Sequence, residues 1–165
     1  MSKITILCVD DEADVLQAVV RDLSELEDTF PIETAESAAE AQTIVDEIKQ
    51  VGDHLGLIVC DQIMPVTNGV EFMKTVKEDP ELVKTRKILL TGQASYEDTI
   101  NAINDASING YLSKPWEAEV LRERAREQIS HFVVNSGIDP LRYMQELDPV
   151  VLGNAIWQQG LLSDG

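Results

Sequence analysis

Basic residues are scarce in this chain: 13 lysines and arginines stand against 30 aspartates and glutamates, a formal net charge of -17. A surface that tracks a phosphate backbone needs clustered cations, so nucleic-acid binding by this chain is not expected. The acidity reads first as a solvated surface that keeps the protein dispersed, and in part as a candidate cation site. Cysteine is equally sparse. Cys8 and Cys60 both sit in apolar runs, without CxxC spacing or a histidine cluster. They read as reduced core thiols of a cytoplasmic protein, not as a disulfide or a zinc site. Long hydrophobic runs are also missing. The run Ile4-Thr5-Ile6-Leu7-Cys8-Val9 stops at Asp10-Asp11-Glu12, too short for an export signal. Nothing approaches the ~20 apolar residues of a membrane span. There is no internal repeat and no low-complexity tract. With 44% hydrophobic and 26% charged residues the chain is nonetheless globular in composition. Its 165 residues suffice for one well-buried domain and a short appendage.

Short apolar runs alternate with longer amphipathic ones, the pattern of an α/β fold with a parallel sheet. Strands are predicted at 4–9, 31–35, 57–60, 87–91 and 110–113. The first and third are nearly continuous in apolar residues, so helices should cover both of their faces. Pro31-Ile32-Glu33-Thr34-Ala35 is more polar and begins with proline, which suits an edge strand. Val15, Leu16, Val19, Val20, Leu23 and Leu26 recur at helical spacing and form one stripe. A second helix opens at Ser37-Ala38-Ala39-Glu40, a capping-box pattern, and continues through Ala41, Ile44, Val45 and Ile48. A third starts near Asn68, with Glu71 three residues on, and buries Val70, Met73 and Val76. A fourth starts at Ser95, with Asp98 three residues on, and buries Ile100 and Ile103. A fifth follows Pro115 with Val120, Leu121, Ala125 and Ile129.

The predicted strands end in chemistry. Strand 1 ends at Asp10-Asp11-Glu12 and strand 3 at Asp61; strand 4 ends at Thr91-Gly92, and strand 5 is followed by Lys114-Pro115. In open α/β sheets, ligands bind beyond the carboxyl ends of the strands. Carboxylates held together repel one another unless a cation sits among them, and an all-oxygen set with room for water and phosphate suits Mg²⁺. A lysine beside them can place a point charge on a phosphoryl oxygen. Singly, these residues have plainer readings: a helix cap for Asp10 or Asp11, a strand-end residue for Thr91, a solvated charge for Lys114. As a set they call for a phosphoryl group with a divalent cation.

Val9-Asp10-Asp11-Glu12, Asp61-Gln62-Ile63-Met64-Pro65, Leu90-Thr91-Gly92 and Tyr111-Leu112-Ser113-Lys114-Pro115 resemble the signature segments of bacterial response-regulator receiver domains, in order and spacing. The resemblance covers about residues 3–132. It implies a doubly wound, flavodoxin-like five-stranded parallel sheet in the order 2-1-3-4-5, an order taken from the family and not from spacing. That order places the crevice between strands 1 and 3. It further implies Asp61 as acceptor of a phosphoryl group from a histidine kinase or histidine phosphotransfer protein, forming an acyl phosphate. Asp10, Asp11, Asp61 and the Ile63 carbonyl would hold Mg²⁺, and Lys114 would neutralise charge on the transferring group. Thr91 and Tyr111 would be the moving residues of a switch on the helix 4–strand 5–helix 5 face. The Lys114-Pro115 bond is cis in the family. His54, in a predicted loop, and His131, near the end of the fifth helix, have no role in this scheme. Gln62, beside the acceptor, is a variable position in the family.

Other readings compete. A phosphatase of the haloacid-dehalogenase type also uses a strand-end aspartate and Mg²⁺, but it needs an Asp-x-Asp that neither Asp10 nor Asp61 begins. A flavin binder would need a hydroxyl- or glycine-rich loop after strand 1, which is not there. A receiver used as a passive docking module remains the alternative to a phosphorylation switch; neither is an enzyme acting on an external substrate. The expected division is a receiver domain over 1–132 and a linker with a short helical extension over 133–165. Asn135-Ser136-Gly137 reads as the linker. Asp139-Pro140 and Asp148-Pro149 each read as a helix start. Leu141, Met144, Leu147, Val151 and Trp157 are more apolar than a free tail. Packing back onto the receiver and self-association, through this extension or the helix 4–strand 5–helix 5 face, are both open.

Overall fold

A computed structural model of the protein describes residues 2–92 and 96–158. Five parallel strands, β1 (Ile4–Val9), β2 (Ile32–Ala35), β3 (His54–Asp61), β4 (Arg86–Thr91) and β5 (Gly110–Ser113), form one sheet in the order β2-β1-β3-β4-β5. The family's strand order is therefore the one observed. Six α-helices accompany them among the described residues: α1 (Ala13–Asp22), α2 (Ala38–Gln50), α3 (Gly69–Glu78), α4 (Tyr96–Ala106), α5 (Ala118–Asn135) and α6 (Pro149–Gln158).

The sheet has a core on each side. On one face Ile4, Ile6, Cys8, Leu57, Val59, Ile88 and Leu90 pack under α1 and α5, through Leu16, Val19, Leu121, Ala125 and Ile129. On the other, Leu7, Val9, Leu55, Ile58, Cys60 and Leu89 meet α2 and α3, through Ala41, Val45, Phe72, Met73 and Val76. This two-sided burial is why strands 1 and 3 are nearly continuous in apolar residues. Cys8 and Cys60 are buried and unbonded to each other, on opposite faces. Burial pushes the Cys8 thiol up to about 12. Helix starts follow the sequence signals. Ser37 Oγ accepts from the Glu40 amide at 3.1 Å, and Asn68 Oδ1 accepts from the Glu71 amide at 2.8 Å. Three expectations need correction. β3 begins at His54, so that histidine is a half-buried strand residue packed near the Phe132 ring and not a loop residue. Ile100 is 39% exposed, because the inward stripe of α4 runs through Ile103 and Ala106. Val70 is only half-buried, at the margin of the α3 core. The expected start of the fourth helix, Ser95, lies outside the described residues.

Two glycines let backbone approach closely. The β1–β3 register slips between Thr5 and Ile6, leaving Gly56 opposite no partner. A Cβ there would stand 2.5 Å from Ile129 Cδ1 and 2.6 Å from Ile4 Cγ2, so the bulge admits α5 to the sheet. At the start of α3, a Cβ on Gly69 would overlap the Asp61 carbonyl oxygen, and the Gly69 amide donates to Gln62 O at 2.9 Å. The helix is thus seated directly on the backbone of the strand-end aspartate.

Past α5 the chain folds back on the first core. Leu147 and Leu152 are buried in it, Ile138, Tyr143 and Ile156 pack against it, and the Tyr143 and Phe30 rings stack at 5.6 Å. Ser130 Oγ, fully buried on α5, accepts from the Asp148 amide at 2.8 Å, while Asp148 Oδ1 caps α6. The inner side of the extension therefore packs back; Leu141, Met144, Val150 and Trp157 stay exposed. α5 itself runs to Asn135, three residues beyond the expected end of the receiver domain.

Gly69→Ala is expected to lower stability by about 2 kcal/mol, an overpacking penalty against backbone, measured by denaturant unfolding. Wild-type stability in that variant would show that α3 is not seated on Asp61. A second expectation concerns Lys87, 2% exposed on β4. Burial, with Arg86 and Lys77 adding to it, lowers its ammonium from 10.5 to about 8. Between these values the unfolded chain holds a proton that the folded chain has released, so Lys87 makes stability rise with pH over that window. Below about 8 the folded protein carries the full penalty. Lys87→Met should therefore stabilise the protein at pH 7 by on the order of 2 kcal/mol, and the gain should shrink toward pH 10. A gain that does not change with pH would reject this account.

Candidate functional site

The four strand ends named from sequence converge. Asp10 directly follows β1 and is 1% exposed; Asp61 closes β3 and is 6% exposed. Asp11, next in the chain, is exposed. One carboxylate oxygen from each of Asp10, Asp11 and Asp61 lies within 4.8 Å of the other two. The Lys114 ammonium bridges the buried pair, 2.8 Å from Asp61 Oδ1 and 3.1 Å from Asp10 Oδ2. Asp10 Oδ1 is occupied differently: it accepts from the Glu12 amide at 2.9 Å, which fixes the turn into α1.

The backbone explains the convergence. Asp61 pairs with Leu90 and Thr91 with Ser113 across the parallel ladder. The Gln62 amide donates to Leu90 O at 3.0 Å, and the Lys114 amide donates to Thr91 O at 2.7 Å, so each loop leaves its strand tied to a neighbour. The Lys114–Pro115 peptide bond is cis. Thr91 is buried at the end of β4. Ile63 lies in the loop after Asp61 with its side chain exposed, and Tyr111 stands 44% exposed on the edge strand β5. An inward position for Tyr111 would therefore require movement from here. Neither His54 nor His131 joins the acidic group.

Burial raises the Asp61 carboxyl above the usual range, and the neighbouring charges of Asp10 and Asp11 add to this; the Lys114 hydrogen bond works against it without cancelling it. Burial alone would lower the Lys114 ammonium, but its hydrogen bonds to Asp61 and Asp10 outweigh that and hold it above the ordinary value. The site is thus short of positive charge even with its lysine in place. A divalent cation coordinated through oxygen fits this donor set. Gly69 was overlooked as a site residue in the sequence. The Asn68-Gly69 pair just before a helical period was the available signal, since a glycine at a first helical position is otherwise a poor choice.

Residues 6–126 match the family model of the response regulator receiver domain. The chain is 36% identical over 126 residues to the hydrogenase transcriptional regulatory protein HoxA of Cupriavidus necator, covering 76% of this chain and 24% of that protein. It spans about a quarter of the length of this HoxA and of the one from Bradyrhizobium diazoefficiens. It is 30% identical over 122 residues to the chemotaxis protein CheY-3 of Vibrio cholerae, covering 72% of this chain and 86% of that one. Among solved structures, Vibrio cholerae CheY4 superposes with a TM-score of 0.65 at 26% identity, over 76% of this chain and 98% of that one. A receiver domain protein from Clostridium thermocellum shares the fold over 96% of this chain and 98% of its own, with a TM-score of 0.61 at 23% identity. The five-stranded sheet, the converging strand ends and these matches agree: the chain belongs to the response regulator receiver family.

Proposed function

We propose that this protein is a phosphorylation switch that takes a phosphoryl group on Asp61 from a histidine kinase or histidine phosphotransfer protein. The observation that carries the reading is the Lys114 ammonium lodged between two buried carboxylates, Asp10 and Asp61. A lysine so placed can hold the acceptor ready and then pass to a phosphoryl oxygen. In the transfer, an Asp61 oxygen bonds to phosphorus as the donor's bond to phosphorus breaks, leaving an acyl phosphate. Asp10, Asp11 and Asp61, with the Ile63 carbonyl, are the groups that would hold Mg²⁺. When bound, that ion supplies positive charge against the oxygens of the transferring group. Thr91 would turn its hydroxyl to the phosphoryl group and Tyr111 would turn inward behind it, remodelling the surface of α4, β5 and α5.

The switch would reside in residues 1–132, the extension over 133–165 being an appendage that meets partners or a second copy through Leu141, Met144, Val150 and Trp157. No described helix is long and apolar enough to cross a membrane, which accords with a cytoplasmic signalling protein. The match to the receiver family favours the switch over a haloacid-dehalogenase-type phosphatase. A passive docking module remains the second reading. It is disfavoured because acceptor, lysine and acidic pair are all present in one site.

Incubation with Mg²⁺ and acetyl phosphate should add one phosphoryl group, labile to alkali and hydroxylamine, and Asp61→Asn should abolish it. Undiminished labelling of that variant would remove Asp61 from the role. Mg²⁺ should raise the melting temperature, since it binds only the folded form and relieves carboxylate repulsion. Asp11→Ala should remove most of that rise, and an unchanged metal response would place the ion elsewhere. With Mg²⁺ and beryllofluoride, tryptophan fluorescence should change in wild type. Thr91→Ala should still take label yet lose most of the change; a Thr91→Ala response equal to wild type would exclude this hydroxyl from signalling.

A further inference from the structure

We infer that Asp22 and Trp116 are a positioning pair for Lys114, an anchor from α1 that holds the loop carrying the lysine; this rests on the reading of Asp61 as phosphoacceptor. Asp22 is the last residue of α1 and is 7% exposed. Its Oδ2 accepts from the Trp116 indole Nε1 at 2.8 Å, and its Oδ1 from Arg21 Nε at 3.3 Å. Its backbone carbonyl accepts from Arg122 Nε at 3.2 Å, and Arg122 is 3.5 Å from the Glu25 carboxylate. A buried acid at a helix end adds nothing to packing that an apolar residue would not add more cheaply. It is explained here by what it grips.

The gripped segment is short. Between the end of β5 at Ser113 and the start of α5 at Ala118 lie Lys114, Pro115, Trp116 and Glu117. The Lys114 amide is tied to Thr91 O, which fixes the loop to β4. Its other side is fixed by Trp116, half-buried against the α1–α5 core with its indole nitrogen on Asp22. Glu117, the residue before α5, makes no side-chain cap. Lys114 therefore stands between two tethers. Its ammonium meets two carboxylate oxygens at 2.8 and 3.1 Å at once, and the position of its backbone sets how well the side chain can reach both. The tether leads to α1, the same helix whose first turn follows Asp10 and Asp11. One rigid helix would thus set both the acids and, through Trp116, the lysine that faces them.

The test uses the full chain with Mg²⁺ and acetyl phosphate. Trp116→Phe and Asp22→Leu should each slow label uptake about tenfold, a modest share of what misplacing a reacting group can take away. The double variant should be no slower than either single one, because both remove the same contact. Asp22→Asn keeps a carbonyl acceptor for the indole and should stay near wild type. A readout independent of phosphorylation is the Nζ resonance of Lys114 in lysine-¹⁵N protein, assigned by its loss in Lys114→Gln. It should move in Trp116→Phe and hold in Asp22→Asn. Wild-type rates and an unmoved Lys114 signal in Trp116→Phe would overturn the pairing. So would a loss of thermal stability with an unchanged rate, since that is a packing role alone. If wild type takes no label, the acceptor reading fails, and the Lys114 resonance still decides whether the anchor exists.

Discussion

Two buried carboxylates at adjacent strand ends are the constraint around which the rest of this protein is arranged. Asp10 and Asp61 would drive each other apart in a dry crevice, and Lys114 holds them together by contacting both. That single ammonium dictates where β5 must end, since the lysine has to arrive at the crevice between β1 and β3 from two strands away. The ladder bonds that align Asp61 with Leu90 and Thr91 with Ser113 meet this demand. The balance is still unfavourable to the acids, as the raised Asp61 carboxyl shows. A site left short of positive charge favours the entry of a cation.

The scaffold answers with rigidity on both faces. The apolar side chains of β1 and β3 hold α1 and α5 on one side and α2 and α3 on the other. The strand ends inherit that rigidity, because the residues before Asp10 and Asp61 are among the most buried of the chain. Gly69 adds a local element of the same kind, a helix seated on the backbone of Asp61. Exposed groups are arranged otherwise. Ile63 and Tyr111, both exposed, lie on a loop and an edge strand.

The fold and the acidic site could be read from the sequence because both depend on pattern. Continuous apolar runs signal strands buried on two faces, and acids placed at their ends signal what those ends face. Other features depend on tertiary contact and leave no local trace. The start of β3 at His54 was missed because Asp53-His54 looks like a turn, yet the His54 amide joins the ladder through Lys3 O. Ile100 looks like a core residue on any helical wheel, but the face of α4 that packs inward runs through Ile103 and Ala106. The grip of Asp22 on Trp116 spans 94 residues, and no spacing rule connects them. Composition alone does not decide whether the extension packs back or self-associates, because its two sides do different things: Leu147 and Leu152 are covered, Val150 and Trp157 are not.

The hydroxyl of Ser130 has a bearing on how this protein can be dissected. It receives the Asp148 amide and so fastens the extension to α5, while Tyr143 lies over Phe30 and Leu147 enters the same core. A fragment ending near residue 132 would strip that cover and present Phe30 to water. Such a fragment would carry a sticky apolar end of its own making, and any clustering it showed would report the cut and not the native surface. The extension is better treated as a lid on the receiver's hydrophobic interior than as a separable tail.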